Sequence, residues 1–233
     1  LSALVLLLAI AFFVGFYRQR KLKNEALISN MQHRMLRLQM NPHFIFNVLT
    51  AIQNYQLRGD SRQAGIFLAR FGKVIRKALE YSREEFITLK EEKELLEDYL
   101  EVQRSLNNES FEYEIKMPGD LDPGQIKVPP MFAQPFIENA IEHGDLGGVT
   151  NGKVEIAFER QGGLLQLKIN DNGVGMKKTT DADKSKKSLS TIITRERLTL
   201  LEKRFGQSLR LNHLDNEGGD GTTVELALPF IQQ

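Results

Sequence analysis

The chain has 233 residues, of which 41% are hydrophobic and 26% charged, and its formal net charge is +1. This length and composition fit a globular protein of one large or two small domains. The absence of cysteine excludes disulfides and thiolate metal sites, and the near-zero charge predicts no nucleic-acid partner.

The chain starts with an apolar run, LSALVLLLAIAFFVGFY, followed by the basic flank RQRKLK. As a helix this run is about 25 Å long, close to the thickness of a membrane core. We therefore interpret residues 1–17 as a transmembrane helix truncated at its start and residues 18–40 as a juxtamembrane signalling helix. The basic flank predicts that the following residues are cytoplasmic. A signal peptide or a buried core helix is the alternative, although a signal peptide has its basic residues before the apolar run.

The next elements are helical. Residues 43–57 and about 62–82 have apolar side chains at helical spacing, and GDS at 59–61 separates them. Two striped helices with a short connection predict a hairpin. Because the stripes are wider than one hairpin buries, we expect a dimeric four-helix bundle. Thr88 and Glu91 form a capping-box pattern that predicts a third helix, ending near Asn107.

From Phe111 onward the pattern changes to that of a mixed domain. FEYEIK, KVEIAFER, LLQLKIND, SLRLNHL and TTVELALPF alternate or are apolar as strands are. PPMFAQPFIENAIEHG and residues from about 188 to 205 are typical of helices. This order predicts an α+β fold with a mixed sheet covered by helices.

Polar residues in this domain indicate a ligand pocket. DNGVG, residues 171–175, ends an apolar strand, although this pattern alone is also that of an ordinary turn. Asn139 and His143 are four residues apart and share a helix face. Together with the lysine-rich segment 176–187, these features predict a site for a polyanionic ligand.

Several motifs together carry a specific family resemblance. IENAIEHG, NDNGVGM and GTTVELALPF resemble the N box, the G1 box and the final strand of the GHKL (Bergerat) nucleotide-binding fold. NPHFIFN, followed by LKEEKELLEDYLEVQ, resembles the autolysin-sensor, LytS/YehU-type, membrane histidine kinases. The resemblance covers residues 25–230. It implies histidine-containing dimerisation helices over 41–107 and a GHKL ATP-binding α/β sandwich over 108–233.

The resemblance also implies a function. The chain is expected to be a sensor histidine kinase of a two-component system, using ATP and Mg²⁺ and passing a phosphoryl group to an aspartate of a response regulator. It is expected to be a homodimer, anchored in the bacterial inner (cytoplasmic) membrane with the kinase domain in the cytoplasm.

The resemblance assigns the nucleotide site residue by residue. Asp171 corresponds to the adenine reader, and Asn139 to the residue whose side-chain oxygen holds Mg²⁺. Gly173 and Gly175 lack a Cβ, which lets the backbone approach the nucleotide closely. The other implied ATP contacts are Asn172, His143, Lys187, Ser188 and either Thr222 or Thr223. A pocket-lining histidine is the alternative for His143, and a solvated loop is the alternative for most lysines between 176 and 187.

The expected phosphoryl acceptor is His43, in QMNPHFIFNVL. A core histidine is the alternative, but Pro42 removes a backbone donor immediately before it, which a purely structural helix has little reason to keep. Asn47, one turn further on, shares the His43 face and is placed to orient the ring.

The sequence leaves two alternative functions. An ATP-driven clamp of the topoisomerase or Hsp90 kind is disfavoured, because Pro135 occupies the position of the water-activating glutamate. An ATP-binding signalling scaffold with weak or no kinase activity is the stronger alternative. It is suggested by the lid, which has KKSLSTII instead of the glycine-rich box that most relatives have.

Overall fold

The computed structural model describes Phe13, Phe16 and Arg18, and then residues 42–117, 119, 122–175, 198–216 and 220–232; the side chains of residues 42, 43 and 143 are outside this description. The chain divides into two compact units, residues 1–41 and 42–233. In the first unit Phe13, Phe16 and Arg18 are helical, and the rest of the predicted transmembrane and signalling helices lies outside the described residues. Among the residues described, no helix is long and apolar enough to cross a membrane.

The helices of the second unit lie close to where the sequence predicted them. The helices with defined ends in its described part are α1 (Pro42–Leu57), α2 (Ser61–Tyr81), α3 (Leu89–Leu106) and α4 (Gln134–His143). Residues 198–205 are also helical, while the first ten residues of the helix predicted over 188–205 lie outside the described residues.

Local signals set the ends of the first three helices. Helix α1 begins at Pro42, a position where the missing N–H costs least, so the proline does not distort a helix interior as the sequence suggested and does not itself favour His43 over a core histidine. After α1 the chain turns through Gly59, which has φ +76°, and Asp60 caps α2 by accepting a hydrogen bond from the Gln63 N–H at 3.1 Å. The predicted capping box opens α3: the Glu91 N–H donates to Thr88 Oγ1 at 3.1 Å, and the Thr88 N–H donates to Glu91 Oε2 at 2.7 Å.

The strands form two sheets. The strands are β1 (Ile87–Thr88), β2 (Phe111–Lys116), β3 (Ile126–Val128), β4 (Gly152–Gln161), β5 (Leu164–Asp171), β6 (Leu211–Asp215), β7 (Thr222–Pro229) and β8 (Ile231–Gln232). The larger sheet has the order β2-β4-β5-β7-β6, with β2 and β4 parallel and the other pairs antiparallel. The predicted mixed sheet is therefore confirmed. The small antiparallel sheet β1-β3-β8 was not predicted.

The two faces of the larger sheet differ in character. Phe158, Leu167 and Leu226 are cross-strand neighbours on one face, and all three are buried. Helix α4 packs on this face, where the rings of Phe136 and His213 lie 6.0 Å apart. The opposite face carries charged pairs such as Lys153–Glu155, with Nζ and Oε1 2.6 Å apart. One covered face and one charged face are what an α/β sandwich requires.

Helix α3 contacts elements on both sides of the predicted domain boundary at residue 107. The carboxylate of Glu92 is buried and accepts hydrogen bonds from the N–H groups of Met131 at 2.9 Å and Phe132 at 3.2 Å, just before α4. On its other side, α3 is joined to α2 by Asp98, whose carboxylate oxygens lie 2.7 Å from Lys73 Nζ and 2.9 Å from Lys77 Nζ. The boundary itself stays a prediction.

Candidate nucleotide site

Asp171 is the last residue of β5, and its side chain is only 4% exposed. Its Oδ1 accepts hydrogen bonds from two backbone N–H groups, that of Gly173 at 3.0 Å and that of Thr222 at 3.2 Å. Burying a carboxylate is unfavourable unless such donors compensate it. The two donors come from different segments of the chain, and they fix the carboxyl group where the end of β5 lies beside the start of β7.

Glycines allow this corner to close. A Cβ on Gly173 would lie 2.2 Å from the carbonyl oxygen of Gly144, and that oxygen accepts the Val174 N–H at 2.9 Å. The turn after β5 is thereby held against the end of α4. Gly221 has φ +86°, and a Cβ there would lie 2.0 Å from the Asp171 carbonyl oxygen. Gly175 also has a positive φ, +72°. Gly173 thus approaches the backbone of Gly144 closely, and its approach to the nucleotide stays a prediction.

Sequence reasoning missed three residues of this corner: Gly144, Gly221 and Asn216. Asn216 donates through Nδ2 to the Asp171 carbonyl oxygen at 2.8 Å, and its Oδ1 lies 2.7 Å from the Thr223 hydroxyl. It therefore ties the β6–β7 loop to β5. Two of the three could have been found from their neighbours in the sequence, because Gly144 directly follows IENAIEH and Gly221 directly precedes Thr222.

Strand register separates the two candidate threonines. Thr223 pairs with Asn170, and its hydroxyl lies 2.9 Å from Asn170 Oδ1. Cross-strand partners share a face of the sheet and successive residues alternate, so Thr222 and Asp171 lie together on the opposite face. Thr222, half-buried, is thus the threonine beside the Asp171 carboxyl group.

The amide of Asn172 contacts the backbone of the neighbouring segment. Its Oδ1 accepts the Lys153 N–H at 2.6 Å, and its Nδ2 donates to the Asn151 carbonyl at 2.8 Å. These contacts hold the start of β4 against the turn after β5. The proposed contact of Asn172 with ATP stays a prediction.

Helix α4 carries the remaining candidates. Asn139 is half-buried, and His143 is the last residue of the helix. The neighbouring Glu138 is buried, and its Oε1 accepts hydrogen bonds from Tyr99 Oη at 3.1 Å and Gln134 Nε2 at 2.9 Å. Burial raises the pKa of Glu138 to about 7, although both hydrogen bonds act to lower it.

The structure brings only some of the predicted site residues together. Asp171, Gly173 and Thr222 surround one corner, with the end of α4 against it. His43 and Asn47 are on α1, which is not one of the segments that form this corner. Lys187, Ser188 and the rest of the lid, 176–187, lie outside the described residues.

Comparison with known proteins places the chain in a family. The family model "Histidine kinase" matches residues 31–111. The sensor histidine kinase BtsS of Escherichia coli K12 is 32% identical over 96% of this chain, which covers 37% of BtsS. The sensor protein LytS of Oceanobacillus iheyensis is 30% identical over 68% of this chain, which covers 26% of that relative. Among solved structures, the Erythrobacter litoralis EL346 blue-light activated histidine kinase has TM-score 0.43 and 17% identity, covering 78% of this chain and 62% of that one, a similarity too low to bear on function.

The chain therefore belongs to the histidine kinases. Within them it is a member of the LytS-type sensor histidine kinases, as its motifs predicted. It spans little more than a third of the length of BtsS, its first relative above.

Proposed function

We propose that this chain is the kinase part of a membrane-anchored sensor histidine kinase of a two-component system. His43 takes the γ-phosphoryl group of ATP and passes it to an aspartate of a response regulator. The observation that supports the ATP site is the buried carboxyl group of Asp171 at the end of β5, which accepts hydrogen bonds from two backbone N–H groups. A fixed carboxylate accepts the exocyclic amine of adenine, whereas guanine has a carbonyl oxygen at that position.

The residues of the site also fit Mg²⁺. Among the described residues, no group of three His, Cys, Asp or Glu side chains is placed to hold a metal ion. Magnesium at a nucleotide needs no such cage, because phosphate oxygens and water supply most of its ligands. The amide oxygen of Asn139 is the protein ligand in this proposal.

The acceptor chemistry follows from imidazole. A ring nitrogen of neutral His43 forms a bond to the γ-phosphorus of ATP. The bond between the γ-phosphorus and the oxygen that bridges to the β-phosphate breaks, and ADP leaves with that oxygen. Asn47 orients the ring. The phosphorylated nitrogen is then a high-energy donor for the aspartate of the response regulator.

The proposal includes assembly and location. Apolar side chains of α1 and α2 are exposed in a single chain, among them Phe46, Leu49 and Leu68, and this supports a second copy packing on the hairpin. Membrane anchoring rests on residues 1–17 and the basic flank, with the kinase domain at the cytoplasmic side of the bacterial inner membrane.

Labelling with γ-³²P-ATP and Mg²⁺ tests this function. We expect acid-labile, alkali-stable phosphate on the purified chain, and none on His43→Ala. Label that persists in His43→Ala would contradict the choice of acceptor. Unlabelled wild type that still binds ATP would establish the alternative, a signalling scaffold with weak or no kinase activity.

Asp171→Asn tests the nucleotide site separately. We expect ATP affinity to fall by about 10- to 100-fold, because a hydrogen bond to a charged group contributes about 1.5–3 kcal/mol. Asp122→Asn is the matched control: exposed Asp122 accepts the N–H of Gly124, two residues on, at 2.9 Å, as Asp171 accepts that of Gly173. The Asp122 variant should bind ATP as the wild type does.

A further inference from the structure

A buried column of three side chains, Phe44, Tyr99 and Glu138, connects helices α1, α3 and α4. The ring of Phe44 on α1 lies 5.0 Å, centroid to centroid, from the ring of Tyr99 on α3, and 5.9 Å from that of Phe71 on α2. The hydroxyl of Tyr99 donates to Glu138 Oε1 on α4 at 3.1 Å. Phe44, Tyr99 and Glu138 are all buried. One side chain, Tyr99, therefore contacts both α1 and α4.

The two ends of this column adjoin the two proposed reaction centres. Phe44 directly follows His43, the proposed acceptor, and Glu138 directly precedes Asn139, the proposed magnesium ligand. Within a helix, neighbouring residues move together because the backbone is rigid. Tyr99 therefore contacts a direct neighbour of the proposed acceptor on α1 and a direct neighbour of the proposed magnesium ligand on α4.

The hydrogen bonds of the Tyr99 hydroxyl fix the orientation of its ring more strictly than apolar packing alone would. The hydroxyl also accepts a hydrogen bond from Gln103 Nε2 at 2.6 Å, so it has partners on α3 and on α4. A hydrogen bond requires both a short distance and alignment, whereas apolar contact tolerates sliding and rotation. The two hydrogen bonds fix the ring on which Phe44 packs.

We propose that Tyr99 is a positioning residue for phosphoryl transfer: it sets the position of the His43 helix relative to the Asn139 helix through its ring and its hydroxyl. This inference rests on the proposed function, because it concerns the transfer from ATP to His43. It predicts an effect on the transfer step and none on nucleotide binding.

Tyr99→Phe tests the role of the hydroxyl, with Tyr113→Phe as a matched control. Tyr113 on β2 likewise donates to a glutamate of α3, Glu101, at 2.9 Å, but does not reach α1 or α4 through that bond. We expect the maximal rate of His43 phosphorylation to fall about tenfold in Tyr99→Phe, since small misplacements of reacting groups slow transfer steeply. The KM for ATP, ADP affinity and thermal midpoint should change no more than in Tyr113→Phe.

Phe44→Leu provides a second test at the other end of the column. We expect a comparable loss of rate. We also expect the double variant Phe44→Leu/Tyr99→Phe to be little slower than either single variant, because the two changes interrupt the same connection from α1 to α4, one at the Phe44 ring and the other at the Tyr99 hydroxyl. Additive losses, an unchanged rate in Tyr99→Phe, or a loss of ADP affinity equal to the loss of rate would each overturn the inference. These outcomes differ from failure of the proposed function, in which the wild type itself carries no phosphate on His43.

Discussion

The helical hairpin and the α/β domain differ in how completely they cover their own apolar side chains. The described α/β domain exposes only Leu200 and Leu214 among its large apolar residues, because helices cover one face of the sheet and charges line the other. In contrast, α1 and α2 pack against each other through buried residues such as Phe44 and Phe67 and still leave a second apolar set outside. That exposed set is Phe46, Leu49, Leu57, Ile66, Leu68 and Leu79. The described domain leaves few large apolar side chains exposed, and the hairpin leaves many.

A glycine substitution made in each region should have opposite effects. In Gly221→Ala, the new Cβ would meet the Asp171 carbonyl oxygen at 2.0 Å, and φ is +86°. We expect a loss of about 3 kcal/mol or more in the free energy of unfolding, from strain and overpacking together. Gly65→Ala on α2 meets nothing within 4 Å and should stabilise by about 0.5–1 kcal/mol.

Chemical denaturation followed by circular dichroism measures both glycine variants. Equal stability of Gly221→Ala and wild type would mean that the corner around Asp171 is looser than the structure shows. Nucleotide affinity of Gly221→Ala should fall with its stability, because Gly221 directly precedes Thr222, whose N–H donates to the Asp171 carboxyl group.

A charged substitution on an exposed apolar residue should affect dimerisation in the hairpin but not in the α/β domain. Phe46 on α1 is 67% exposed and Leu200 in the α/β domain 66%, so they are matched in exposure. We expect Phe46→Glu to weaken dimerisation by about 2 kcal/mol or more, roughly 30-fold in Kd, as loss of a buried aromatic does at an interface. Leu200→Glu should leave association unchanged. Sedimentation equilibrium measures the dimerisation Kd of both variants. An unchanged Kd in Phe46→Glu would mean that the dimer interface lies elsewhere.

The capping box at the start of α3 lies between the two regions and should have a smaller effect. The backbone and side-chain hydrogen bonds with Thr88 lower the pKa of Glu91. A lowered pKa in the folded state means that the carboxylate contributes stability at neutral pH, and that this contribution is lost as pH falls below about 4.5 through the folded pKa. We expect Thr88→Ala to cost about 1 kcal/mol. Glu91→Gln should be less stable than wild type at pH 7.

The pH dependence provides the check on the capping box. The difference between wild type and Glu91→Gln should shrink as pH is lowered below about 4.5. Glu97→Gln, on the same helix but remote from its start, serves as the control. A difference between wild type and Glu91→Gln that is constant from pH 7 to pH 3 would exclude an ionised cap.

The sequence was informative where structure depends on neighbours along the chain. The break at Asp60, the capping box at Thr88 and the alternation of β5 each depend on a few adjacent residues, so they were predicted. The strands β1, β3 and β8 were not, because they have two or three residues each and pair across long stretches of sequence. The site shows the same division. Asp171 stood out by its motif, whereas Asn216 and Gly221 matter only because β6 and β7 bring them against the Asp171 backbone.

The smallest expected effect concerns a second junction between the two regions, which contrasts with the buried column at Tyr99. Arg204, near the end of helix 198–205, forms an ion pair with Glu85, just after α2, and its guanidinium lies 5.5 Å from the centre of the Phe86 ring. Both charged side chains are more than half exposed, so solvent and salt screen their attraction. We expect Glu85→Gln to lower the free energy of unfolding by less than about 0.5 kcal/mol, and the difference to vanish at about 1 M salt. A loss that persists at high salt would mean that this exposed junction, and not only the buried one, holds the hairpin to the domain.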